Sequence, residues 1–227
     1  MLMFAINSKK IIMKSDNNYQ KLLFTYFIFA VAMAYLEAVV VVYLRLLYYP
    51  QGFRFPLADI PAYVALTEIG RETATIIMLW FVARMGRRDF KGRFALFIYS
   101  FGVWDIFYYV WLKVLLNWPH GWLVWDILFL IPLPWVAPWL APFIVSIGLI
   151  FTARLILKYP EKFPKKILSQ KEWILEAGAI AAILISFFWE SLNVLQKRIP
   201  ESYPWWLFTS GFLSGIIVII RCYRRTQ

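Results

Sequence analysis

Nine ionisable side chains interrupt stretches of this chain that are otherwise apolar: Glu37, Arg45, Glu68, Arg71, Glu72, Asp105, Lys113, Asp126 and Glu190. Six are carboxylates and three are cations, so full ionisation leaves an excess of negative charge. In a buried set such an excess is met by protonated carboxyls, a bound cation or a cationic ligand. Helical spacing groups the residues. Glu68 and Glu72 are four apart and Arg71 is three from Glu68, which puts the three on one face. Asp105, Tyr109 and Lys113 form a second stripe, and Glu37 and Arg45 lie eight apart on one side of their segment. The tetrapeptide Val-Trp-Asp-Ile occurs at 103–106 and again at 124–127, on either side of the polar link 117–121. Asp105 and Asp126 are therefore expected to face each other.

The chemistry these types permit is acid–base work and binding of a charged or polar group. Glu37, Arg71, Glu72 and Asp105 form the expected catalytic core, with Glu72 or Asp105 as general base. Arg45, Glu68, Tyr109, Lys113, Asp126 and Glu190 surround it as substrate-binding candidates, the cations suited to holding phosphate. If a divalent cation is held, Glu37, Glu72 and Asp105 are the oxygen ligands that suit Mg²⁺, Ca²⁺ or Mn²⁺. Other chemistries have no residues to carry them. His120 is the only histidine, in an outer turn, and Cys222 the only cysteine, which excludes multi-histidine metal sites, an internal disulfide and thiolate clusters. No nucleophile elbow and no glycine-rich phosphate loop occurs.

The elements that must position these residues are membrane spans. The chain has 227 residues, 62% of them hydrophobic and only 16% charged, with a mean hydropathy of +0.64. Soluble domains are about half apolar at most, so the composition belongs to an integral membrane protein. A charge in hydrocarbon costs at least about 3 kcal/mol, so each of the nine must face the protein interior or a wet cavity. Six spans are expected, at about 22–48, 61–83, 94–116, 136–157, 172–195 and 204–221, each able to cross a hydrocarbon core of about 30 Å. They form an all-α bundle, with a cytoplasmic segment at 1–21 and a cytoplasmic tail at 222–227. A signal-peptide reading of 22–31 is disfavoured because the apolar stretch continues to Leu47, interrupted only by Glu37 and Arg45.

Basic residues set the orientation. Eighteen Lys and Arg fall in the N-terminal segment, the links at 84–93 and 154–171 and the C-terminal end, against three (Arg54, Lys197, Arg198) in the alternate links. Both termini are thus expected in the cytoplasm of a plasma-membrane protein. The net charge of +11 reads as this bias, with lipid headgroups as its partner and no call for nucleic acid. With that orientation all nine charges lie in the outer half or near the bilayer centre, by a rise of about 1.5 Å per residue. A polar chamber opening outward would place them so.

Prolines break the fourth segment. Pro132, Pro134, Pro138 and Pro142 make a continuous helix from Trp122 to Lys158 untenable, so 122–131 is expected as a short interfacial or re-entrant helix. Small residues at four-residue spacing, Gly211 and Gly215 or Ala30, Ala34 and Ala38, offer faces for packing within the bundle or for oligomers. Three functions fit. The first is a membrane-embedded enzyme acting on a lipid or lipid-linked substrate at the outer leaflet. The second is a carrier for a cation, a proton-coupled solute or a lipid headgroup. The third is a non-catalytic assembly subunit. The nearly apolar inner halves of the spans favour a one-sided site and hence the enzyme.

Overall fold

Several apolar stretches begin or end where the chain supplies a proline, a left-handed residue or a polar cap, and the helices of the computed structural model follow those signals. The structure describes the backbone of residues 2–163 and 169–225 and the side chains of 18–163 and 169–224. Helix α1 runs Leu2–Tyr48, α2 Ala62–Gly86 and α3 Phe90–Leu116. A two-stranded hairpin follows, β1 Trp125–Phe129 and β2 Trp135–Pro138, and then α4 Leu140–Lys158, α5 Gln170–Phe188, the short α6 Ser191–Leu195 and α7 Trp205–Arg225. Asp89 caps α3 by accepting the Gly92 N–H at 2.7 Å, and Asn117 ends it with φ 51°. Ser169 and Glu172 form a reciprocal capping box at the start of α5.

Among the described residues, five helices are long and apolar enough to cross a membrane: 18–48 of α1, then α3, α4, 170–195 and 205–224. Their outward faces carry large apolar side chains, such as Phe24 (65% exposed) and Leu36 (62%), which bulk water would penalise. The chain is thus a mostly helical, multi-pass membrane protein. Of the basic residues counted on the inner side, Lys165 and Lys166 and the side chains of Lys9, Lys10, Lys14 and Arg225 lie outside the described residues.

Helix α3 is the hub, packing on α1, α2 and α4, while α7 packs chiefly on α5. Small residues make these approaches possible. Ala30, Ala34 and Ala38 are fully buried along α1. A Cβ on Gly211 would meet the Ala179 carbonyl oxygen at 2.8 Å, and one on Gly102 would meet that of Ser146 at 2.7 Å. Of the small-residue faces, Gly211 packs on α5 and the α1 alanines lie in the core. Side chains add cross-ties at membrane depth. Trp111 Nε1 donates to the Val31 carbonyl at 3.1 Å, and the Tyr26 hydroxyl donates to the Val82 carbonyl at 2.8 Å.

The segment 122–131 departs from expectation: it is not a short helix, and residues 125–138 form a β-hairpin. Trp125, Asp126, Ile127 and Phe129 pair antiparallel with Pro138, Ala137, Val136 and Trp135, with a bulge at Leu128. An isolated ten-residue helix gains too little to repay its nucleation, whereas an aromatic and β-branched run beside prolines fits an edge strand. The hairpin also moves the start of α4 to Leu140. A second departure lies in the fifth span, where the helix breaks at Trp189–Glu190 before α6.

The close approach at Gly102 yields a test. Gly102→Ala should cost about 1–3 kcal/mol through overpacking against α4. Gly178→Ala, with open space around it, should be neutral or stabilising by up to about 1 kcal/mol. Thermal unfolding in lipid nanodiscs measures both, and equal shifts would refute the packing argument.

Candidate functional site

The C-terminal part of α1, the first half of α2, the second half of α3 and the hairpin enclose a cavity of about 430 Å³. Helix α1 contributes Glu37, Val41 and Arg45; α2 contributes Glu68, Arg71 and Glu72; α3 contributes Trp104, Asp105, Tyr108 and Tyr109. The hairpin closes one wall from Asp126 to Leu130, and the loop 57–60 with Lys197 forms the rim. Lys197 and Asp59 pair across that rim, both exposed. On the other side of Glu37 and Glu72, the tightly packed core of Ala30, Ala34, Leu79, Ala83 and Leu96 closes the bundle.

Within the cavity the charges are committed to different degrees. Arg71 pairs with Glu37 of α1 and with Glu68 one turn back on its own helix, its Nε donating to Glu68 Oε2 at 2.8 Å. The other Glu37 oxygen accepts from the Thr75 hydroxyl at 3.1 Å. Arg45 pairs with Asp126 of β1 at 3.1 Å, and its guanidinium lies 3.9 Å from the Trp118 ring centre and 4.6 Å from that of Phe53. Two aromatic faces and one carboxylate thus hold a buried cation, an arrangement worth more without water than at the surface.

Glu72 and Asp105 form no ion pair among the described residues. Glu72 Oε2 accepts the backbone N–H of Leu130 at 2.9 Å, which satisfies a donor that the hairpin leaves open. Asp105 Oδ2 accepts from the Ser146 hydroxyl at 2.8 Å. Gly102, one turn before Asp105, admits the α4 backbone closely enough for that bond. Each carboxylate keeps its second oxygen free of hydrogen bonds among the described residues, on a wall of the cavity.

Eight of the ten expected site residues therefore meet: Glu37, Arg45, Glu68, Arg71, Glu72, Asp105, Tyr109 and Asp126. Two do not. Lys113 is exposed and donates to the carbonyls of Asn117 and Pro119, at 3.4 and 3.2 Å, tying down the turn after α3. Glu190 is buried, but it accepts from Asn193 Nδ2 at 2.8 Å and Ser202 N at 3.3 Å, holding the break between α5 and α6. His120 is exposed and lies outside the cavity lining. Among the described residues no group of three or more His, Cys, Asp or Glu converges as metal ligands, so Glu37, Glu72 and Asp105 do not make the expected set.

Several partners escaped the spacing analysis. Trp104, Trp118 and Phe53 frame the charges, and aromatic residues are too common here (20% of the chain) to single these three out. Thr75 and Ser146 were legible as lone hydroxyls in apolar helices, but not as the donors to Glu37 and Asp105. Glu176 of α5 is a further intramembrane carboxylate, half-buried and close to Gly215, away from the cavity. Searches against protein-family models, curated proteins and solved structures found no match for this chain.

The Arg71 network predicts its own response to mutation. Arg71→Met leaves Glu37 and Glu68 buried without a counter-charge and should cost about 3–5 kcal/mol. The triple variant Arg71→Met, Glu37→Gln, Glu68→Gln should recover most of that loss. Unfolding in nanodiscs would count against the network if the single variant lost under about 1 kcal/mol or the triple recovered nothing.

Proposed function

We propose that α2 is a sixth span, that both termini are cytoplasmic in the plasma membrane, and that the protein is an enzyme acting on a lipid or lipid-linked substrate from the outer leaflet. The length of α2, 25 residues, is sufficient for a span. Of its four charges, Glu68, Arg71 and Glu72 line the cavity rather than the outside of the bundle, and Arg84 lies in the last turn. The eighteen basic residues on alternate links support the orientation.

The observation that carries the enzymatic reading is the pair Glu72 and Asp105. They line one cavity, each held by one neutral hydrogen bond, and neither forms an ion pair with an arginine among the described residues. A carboxylate so placed accepts a proton from an attacking water or hydroxyl, and a neighbouring carboxylic acid returns one to the departing oxygen. Arg45 and Arg71 hold their own carboxylates and stiffen the walls. Entry of substrate is favoured from the rim at 57–60, beside the bilayer's outer surface. A carrier would need a way inward, and the packed core beyond Glu37 offers little support for one. The assembly reading accounts for the Arg71 network but not for a cavity beside it.

Two measurements test the proposal. Native mass spectrometry of the protein with its retained lipids should find a specific lipid on wild type that is reduced at least tenfold on Glu72→Gln and Asp105→Asn. Equal retention by all three would remove these residues from the site. In a Cys222→Ser background, His120→Cys should react with a membrane-impermeant maleimide on intact cells, and Arg88→Cys only after permeabilisation. The reverse pattern would invert the topology.

A further inference from the structure

Two buried donors in the cavity walls have no hydrogen-bond partner among the described residues: Arg45 Nη1 and Trp104 Nε1. Both residues line the cavity, at 7% and 4% exposure. Leaving such a group unsatisfied costs about 1–3 kcal/mol, more for a charged one. Two acceptors, Glu72 Oε1 and Asp105 Oδ1, are free in the same walls, their sister oxygens being occupied by Leu130 N–H and Ser146. The cavity therefore asks its ligand for acceptors and donors together.

That requirement separates the headgroups. A phosphate brings only acceptors, and it would meet six carboxylates (Glu37, Glu68, Glu72, Asp105, Asp126 and, at the rim, Asp59) against three cations, Arg45, Arg71 and Lys197, all already paired. An ammonium brings only donors and leaves Arg45 and Trp104 unmet. Hydroxyl groups do both: each donates once and accepts twice. Several hydroxyls on a ring also present an apolar C–H face, and the aromatic wall of Trp104, Tyr108, Tyr109 and Phe129 suits one. We propose that the cavity recognises an uncharged polyhydroxylated head, of the kind a lipid-linked sugar presents. This rests on the reading of the cavity as a lipid-headgroup site. It narrows the substrate class to glycosyl-type heads, for which a carboxyl pair is a fitting acid and base.

The test uses the full chain in nanodiscs and calorimetric titration with probes sharing one six-carbon tail: hexyl glucoside, hexyl galactoside, hexyl mannoside, hexyl phosphate, hexylamine and hexanol, with methyl glucoside as the tailless control. At least one hexyl glycoside should bind tenfold or more tighter than the phosphate, the amine and the alcohol. Trp104→Phe, which keeps the ring and removes the N–H, should weaken that glycoside about fivefold, with unfolding temperature unchanged. Thr209→Val, exposed on α7 and outside the cavity lining, should bind as wild type does. Tighter binding of the phosphate or the amine, or equal binding of all heads, overturns the polyhydroxyl inference while leaving a lipid pocket standing. Methyl glucoside binding as tightly as hexyl glucoside keeps the hydroxyl recognition and removes the lipid. If no probe binds, the headgroup reading itself fails, and this inference with it.

Discussion

A polar group inside hydrocarbon has no water to turn to, and most of this molecule's tertiary structure follows from that. The hairpin 125–138 would leave edge groups open, and Glu72 supplies an acceptor to Leu130 N–H while Ser191 donates to the Pro134 carbonyl. The guanidinium of Arg71 lies between Glu37 and Glu68, and that of Arg45 lies against Asp126 between two rings. Most of these ties join different elements, so satisfying a polar group and fixing the fold are one act.

Helix α3 shows how packing and chemistry share residues. Its glycine at 102 lets the α4 backbone come near, and that proximity brings the Ser146 hydroxyl to Asp105 one turn further on. The end of the same helix is held by Lys113, whose ammonium reaches the carbonyls of Asn117 and Pro119. The turn so fixed carries Trp118, which faces the Arg45 guanidinium. A residue read as a ligand for substrate thus acts as a clamp on the wall behind it.

The charges divide by commitment. Glu37, Glu68 and Asp126 are held by arginines, and their work is structural stiffness. Glu72 and Asp105 are held by single neutral donors, which orient a carboxylate without neutralising it. An orienting bond on one oxygen leaves the other for chemistry, the arrangement expected of preorganised acid–base groups.

Membrane character and the approximate limits of the helices were legible from the sequence, because hydropathy over about 20 residues is a local property. So was the inward turn of eight of the ten expected residues onto one cavity, because a charge in an apolar run has to turn inward wherever the helix goes. The pairing was not legible. Spacing along single helices does not say which cation meets which carboxylate across helices. The fold gives Arg71 to Glu37 and Glu68, Arg45 to Asp126, and Lys113 to its own turn. The repeated Val-Trp-Asp-Ile makes the reason plain, since one copy is helix and the other strand. Local residues alone cannot choose between those states for a short apolar segment. The choice came from the partners that α2, α4 and α6 bring to each copy's polar groups, and those arrive only with the tertiary structure.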